Sequence, residues 1–334
     1  MVTIKDISKK CGVSPATVSK ALNGYGDVSA STLERVRKAA DELHYMPNVA
    51  ARLLKTNRSY NIGVVFEDET LSGLTHDYFS QILNSAKLEL EKHGYDITFI
   101  GQRVGGSSFL EHVRYRKCDG VLIANVDFAA DSVQELVRSE IPTITIDYVF
   151  DNVSSVLSDN VEGEYLLTKY LLDYGHKKIA FIHGEMTSVT SKRLSGFYRA
   201  FSEYGLEVPE GYVMEGRYHE AGVSADLTKK LMELEEPPTA ILYPDDFAYI
   251  GGMNQLEKMG IRIPDDVSVV GYDGINLSQV IRPRLTTYRQ DTDAIGTESA
   301  RKLIEIIDQG KGAVAEQIMV SGQLVEGKSV KSLK

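Results

Sequence analysis

From Asn61 onward the chain alternates short apolar runs with amphipathic stretches of helical period, a pattern that folds into parallel sheets covered on both faces by crossover helices. Strands are expected at Ile62–Phe66, Asp96–Ile100, Gly120–Ala124, Thr143–Ile146, Lys178–Ile182, Thr239–Tyr243 and Ser268–Tyr272, with strand-like Gln317–Val320 and Gly322–Val325 near the end. Helices are expected between them, at about Tyr78–His93, Ser132–Ser139, Val161–Tyr174, Thr190–Tyr204, Ala221–Leu234, Phe247–Met259 and Ala294–Gln309. That supply of strands fills two sheets. The non-helical stretch Asp147–Asn160 reads as the place where the chain crosses from one lobe to the other. The expected fold class is therefore α/β, a small all-α helix-turn-helix head followed by two doubly wound parallel lobes.

Composition narrows the function. The 334 residues carry a net charge of -10, with 43% apolar and 25% charged residues, as an ordinary globular protein does. No apolar run approaches the length of about 18 residues that a membrane span needs, and the first residues lack the layout of a secretory signal, so a cytoplasmic location is expected. Cys11 and Cys118 are far apart and have no neighbours at metal-ligand spacing, which suits packed thiols rather than a disulfide or a zinc site. The seven histidines are scattered, and no nucleophile elbow, phosphate loop or paired-histidine motif occurs. Neither an enzyme nor a bound metal or cofactor is expected.

The mean charge hides an asymmetry. Residues 1–60 hold ten Lys and Arg against five acids, a balance of +5 at the head of an acidic chain. A basic head on an acidic body suits a small module that meets a polyanion. Thr3 and Asp6 have the spacing of a capping box and start a short helix that runs to about Lys10. Ser14 followed by Pro15 starts a second, which Asn23-Gly24 stops. Val18, Ala21 and Leu22 face inward on it, leaving Pro15, Ala16, Thr17, Ser19 and Lys20 outward. Ser31 to Glu34 repeats the cap signature for a third helix with Leu33, Val36, Ala40 and Leu43 on its buried side. Two short helices about a glycine turn make a helix-turn-helix, and a small, hydroxylic face with one cation suits the major groove as well as it suits solvent.

Ile4-Lys5-Asp6-Ile7-Ser8, the run Gly12 to Asn23, Val28-Ser29 and the run Arg35 to Leu54 together resemble the DNA-binding head of the lactose/galactose repressor family of bacterial transcription regulators. Cys118-Asp119-Gly120-Val121, Gly175 to Ile179, Arg193 to Phe197, Val270 to Asp273 and Leu285-Thr286-Thr287 resemble the sugar-binding-protein-like core of the same regulators. The resemblance implies a head over residues 1–47, a hinge helix and linker over 48–60 and a two-lobed body over 61–334. The N-lobe would take about 61–159 plus 291–319, and the C-lobe about 160–290 plus 320–330. It implies base reading by Pro15, Ala16 and Lys20, with Thr3, Ser14, Thr17, Ser19 and Asn23 beside them. It also implies a hinge, Asn48 to Lys55, that orders on DNA and wedges Leu54 into the minor groove, with Asn48, Ala51 and Lys55 in contact. Alone, that segment is too short to hold helix in water.

Acids follow several expected strands, at Glu67-Asp68, Asp147, Asp245-Asp246 and Asp273, where ligands of open α/β sheets bind. Carboxylates and an arginine grip vicinal hydroxyls, and aromatic faces cover the apolar side of a sugar ring. The resemblance places Asp147, Arg193, Asp245, Asp273 and Gln290 against an effector, joined by Asp68 and by Phe79 and Phe247 as walls. Asp245-Asp246 stands where relatives often carry Asn-Asp, which points to a more acidic pocket and a neutral sugar or oligosaccharide before a nucleoside, base or amine. A pseudo-palindromic double-stranded operator and a homodimer complete the expectation, since no heptad tail for tetramers follows Val325. The competing reading, an exported sugar-binding module, sits badly with the fused head.

Overall fold

A computed structural model describes residues 2–22, 27–45, 58–67, 72–102 and 108–334. The chain divides into two compact units at the Ser59–Tyr60 bond. In the first, helices α1 (Ile4–Cys11), α2 (Pro15–Leu22) and α3 (Ala30–Glu42) bury Ile7, Val18, Ala21 and Val36 almost completely, with Cys11 beside them. Asp6 accepts both the amide N–H and the hydroxyl of Thr3, at 2.8 and 2.7 Å, which fixes the start of α1. The Ser14 hydroxyl accepts the Thr17 amide at 3.1 Å and caps α2. The third helix is capped two residues earlier than expected. Ser29, not Ser31, holds that position, because its hydroxyl accepts the Thr32 amide, at 3.4 Å, and donates to the Thr32 hydroxyl, at 2.9 Å.

The second unit contains strands β1 (Asn61–Phe66), β2 (Asp96–Ile100), β3 (Gly120–Asn125), β4 (Thr143–Ile146), β5 (Ser154–Ser158), β6 (Ile179–His183), β7 (Val213–Glu215), β8 (Ala240–Leu242), β9 (Ser268–Asp273), β10 (Thr286–Arg289), β11 (Gln317–Val320) and β12 (Gln323–Val325). One sheet runs β11-β5-β4-β3-β1-β2, with every pair parallel. The other runs β12-β10-β9-β8-β6-β7, parallel except where β12 lies antiparallel to β10. Each sheet is covered on both faces by apolar clusters, the arrangement the continuous apolar runs require. The chain passes between the sheets at residues 158–160, 289–292 and 320–323. Asp159 and Asp291 cap the helices that follow the first two passages, accepting from Glu162 and Ala294 at 3.1 and 2.9 Å.

Strands β5, β7 and β10 and the helices Phe109–Arg116 and Asn276–Val280 lie outside the sequence expectation. Strand β5 falls within the stretch read as the crossing, hidden because Ser154, Ser155 and Ser158 are polar yet buried. Helix Phe109–Arg116 carries a capping box, Ser108 and Glu111, that pattern reading passed over. Both thiols are free; burial pushes that of Cys118 up to about 12.

Candidate functional site

On α2 the side chains of Pro15, Ala16 and Lys20 are exposed, and those of Thr17 and Ser19 half-buried. Thr17 is tied to Ser14 through a 2.8 Å hydroxyl pair. Lys20 is paired with Asp27, and that contact holds the Asp27 carboxyl below the usual carboxylate range. Any contact of the Lys20 ammonium with DNA would have to displace Asp27 first. An exposed pair of this kind is screened by water and salt, so its displacement costs little. Asp27→Asn should strengthen duplex binding by up to about fivefold in a low-salt titration, by freeing the ammonium and removing a charge that repels phosphate. Weaker binding would instead mean that Asp27 positions Lys20. Asn23, Asn48, Ala51, Leu54 and Lys55, and with them the hinge helix, lie outside the described residues.

Beyond the carboxyl ends of the two sheets opens a cavity of about 660 Å³. Tyr78, Phe79, Asp147, Arg193, Asp245, Asp273 and Gln290 all line it. The Tyr78 hydroxyl lies 2.9 Å from Asp147 Oδ2 and 3.3 Å from Gln290 Oε1, its one proton shared between the two acceptors, and Gln290 Nε2 donates to Asp273 Oδ1 at 2.7 Å. A hydrogen-bonded ladder thus runs from one lobe to the other. Arg193 is fixed on every side. It donates to Asn160 Oδ1 at 2.8 Å and to the Pro244 carbonyl at 2.7 Å, lies 3.5 Å over the Tyr272 ring and stands 3.9 Å from Asp273. The Asn160 contact depends on Gly196, where a Cβ would sit 2.2 Å from the Val161 carbonyl and push the two helices apart.

The acidic pair at 245–246 is divided. Asp245 faces the cavity but caps the helix Asp246–Lys258, accepting from the Ala248 and His219 amides at 2.7 Å each. Asp246 turns into the C-lobe interior, where the Thr287 hydroxyl and the Ile275 amide bind it at 2.7 and 2.9 Å, and Gly271 leaves the space it needs. It adds no charge to the cavity. The acidity there comes instead from Glu67, Asp127 and Glu185, together with Asp147, Asp245 and Asp273. Asp68 lies outside the described residues.

Phe247 does not line the cavity; it backs one of its walls. Its ring stacks on His219 at 4.0 Å, and His219 stacks on His76 at 4.3 Å, so the wall facing the cavity is a pair of histidines from opposite lobes. His76, Tyr78, Tyr218 and His219 are site residues that sequence reading missed. They sit in loops or on a helix start, without periodicity to single them out. Of six described non-glycine residues with positive φ, three line the cavity: Asp147, His219 and Asp273, at 55°, 56° and 97°. Non-glycine residues hold such angles where the surrounding structure dictates them, and these three share one cavity.

Electrostatics follow from burial. Desolvation raises the Asp147 carboxyl, against the Ser158 amide and Tyr78 hydroxyl that bind its ionised form. Burial pushes Asp273 up to about 7, with Arg193 opposing and Asp245 adding to the rise. Among the described residues no cluster of three or more His, Cys, Asp or Glu could hold a metal ion. No described helix is long and apolar enough to cross a membrane.

A helix-turn-helix head joined to a two-lobed α/β body with a polar cleft between its sheets is the plan of a ligand-responsive DNA-binding regulator. Residues 3–48 match the description "Bacterial regulatory proteins, lacI family", and residues 168–330 match "Periplasmic binding protein-like domain". The chain is 33% identical over 339 residues to the HTH-type transcriptional repressor PurR of Pasteurella multocida (strain Pm70), covering 99% of each. Its fold is similar to that of the lac repressor dimer bound to operator and the anti-inducer ONPF, with TM-score 0.78, 28% identity and 99% of each chain covered. It is also similar to the transcriptional regulator CelR in complex with cellobiose, with TM-score 0.72 and 25% identity, covering 98% of this chain and 100% of that one. The chain belongs to the lacI family of bacterial regulatory proteins. It is a DNA-binding transcriptional repressor with a ligand-binding domain.

Proposed function

We propose that the protein binds a two-fold symmetric operator as a homodimer, and that a neutral sugar in the cleft controls its affinity for that site. The observation that carries the effector class is the ladder Asp147, Tyr78, Gln290, Asp273 set beside a single immobilised guanidinium. Vicinal hydroxyls donate to such carboxylates and accept from such a fork, and Phe79 offers a ring face for the apolar side of a pyranose. A phosphorylated or carboxylated ligand would meet several acids and one arginine, a poor balance for an anion. CelR, which carries cellobiose, is a relative of the same fold. A flat base is the second reading, favoured by the parallel rings of His76 and His219. A thermal-shift screen of the full chain against neutral sugars, sugar phosphates and nucleobases separates the two, since a ligand of the folded state raises the midpoint by mass action. Stabilisation by bases or phosphates alone would overturn the sugar reading.

On the DNA side the reading assigns base contacts to Pro15, Ala16 and Lys20, the first two by apolar contact with thymine methyls. Thr3, Ser14, Thr17, Ser19 and Asn23 would meet phosphates or base edges nearby. Asn48, Ala51, Leu54 and Lys55 would form the hinge contacts, with Leu54 as the wedge. Two basic heads neutralise several phosphates, so log affinity against log salt should have a slope on the order of -5 or steeper. Selection from a random-sequence duplex pool, followed by that titration, is the test. A near-zero slope, or no symmetric site, would count against it.

A further inference from the structure

We propose that Phe128 and Tyr148 form an outer subsite of the cleft that accepts a second sugar ring, so that the protein selects a disaccharide or longer oligosaccharide over a single ring; this rests on the sugar reading of the inner site. The two rings stack at 4.1 Å and 7° and both line the cavity. Phe150 packs against Tyr148 at 4.8 Å, so the platform is braced from within the N-lobe. Neither ring is needed to bind the inner ligand, because Asp147, Arg193, Asp273 and Gln290 form their own connected set.

Position explains the division of labour. Asp147 and Tyr148 are adjacent at the end of β4, where the positive φ of Asp147 turns the chain. The Thr145 hydroxyl donates to the Tyr148 carbonyl at 2.6 Å and locks that turn. One turn therefore supplies a carboxylate to the inner set and an aromatic ring to the outer one. Polar groups lie beside the platform: Asp127 is exposed with one oxygen held by the Ala129 amide at 3.0 Å, and Ser188 lines the cavity from the C-lobe. A rigid aromatic surface flanked by a carboxylate and a hydroxyl is what a pyranose in a half-open site requires, with the ring face buried and the equatorial hydroxyls bonded at the edge. A cavity of about 660 Å³ is also large for one ring held at its inner end.

The test is calorimetric titration of the full-length protein with glucose, galactose and ribose against cellobiose, lactose, maltose and sucrose. At least one disaccharide should bind about tenfold or more tightly than its component monosaccharides, and that ratio should collapse toward one in Phe128→Leu and in Tyr148→Leu. Leucine keeps apolar volume against Phe150, and the unfolding midpoint of each variant reports that the fold survives. The native ratio stands as a readout even where one variant is unstable. Equal affinity for single and double rings, or a ratio that survives both substitutions, overturns the proposal. Binding of no sugar of either size overturns the sugar reading itself, a result distinct from loss of the size preference.

Discussion

Asp273→Asn is expected to leave the protein folded and somewhat more stable while lowering effector affinity by one to two orders of magnitude. A hydrogen bond to a charged group is worth about 1.5–3 kcal/mol, and the substitution removes the charge while keeping the shape. Stability should rise because the carboxyl is buried and burial has already pushed it up to about 7. Asparagine also tolerates the φ of 97° better than most residues. Arg193→Gln should behave differently. It strips a donor from Asn160 and from the Pro244 carbonyl, bares the Tyr272 ring and leaves Asp273 without its cation. Binding and about 3 kcal/mol of stability should be lost together, because breaking a buried pair from one side strands the other charge. Thermal unfolding and calorimetric titration with the sugar found in the screen measure both quantities. If Asp273→Asn binds that sugar like the parent, Asp273 does not hold the ligand.

The contrast between these two residues also shows how far the sequence could be read. The two-lobed plan was legible because the strands that set it are apolar on both faces: Ile62, Val64 and Val65 of β1 and Val121, Leu122 and Ile123 of β3 are almost wholly buried. Strand β5 was not, since a run of buried serines has neither the composition nor the alternation of a strand. Acids after strands announced the cleft, but which of them face it is decided by tertiary partners. Asp245 and Asp246 are neighbours with opposite fates because Asp245 caps a helix at the cavity edge and Thr287 draws Asp246 into the interior. Position Phe247 was read as a wall, yet His219 stands between it and the cavity, and a histidine in a loop gives no sequence signal. Lys20 was visible as a cation on the outward face of α2. Its pairing with Asp27 was not, since the two are seven residues apart across the end of the helix.

Effector affinity is expected to rise with pH from about 5.5 to about 7.5, by up to about tenfold per unit in the acidic half, and then to level off. Burial pushes the Asp273 carboxyl up to about 7, so below that pH it carries a proton. A sugar hydroxyl donates to the ionised form, and binding in acid must therefore release the proton first. Asp147 and Asp245, also raised by burial, steepen the dependence at the acid end. Stability of the empty protein should run the other way. A carboxyl whose folded pKa lies above its unfolded value holds its proton more tightly in the native state, so its contribution is complete below about pH 4 and is lost as pH rises through the folded value. That window reaches about 7 for Asp273 and about 8 for Glu164, which is buried behind Arg193 with one oxygen lacking a hydrogen-bond partner. Glu89 and Asp266, held at about 2 by Lys92, Arg301 and Arg262, lose their contribution only at lower pH and leave the window clear. His176, lowered by burial, opposes the trend below its usual value. The unfolding midpoint of the ligand-free protein should thus fall between about pH 6.5 and 8 while sugar affinity rises or holds. Asp273→Asn should flatten the affinity profile near pH 7, leaving only the acid-end slope of Asp147 and Asp245, and should keep the part of the stability trend that belongs to Glu164 and to the other buried carboxyls, Asp147, Asp245 and Asp246. An affinity that falls with pH in the parent, or an undiminished slope near pH 7 in the variant, would remove the ionised Asp273 carboxylate from the binding site.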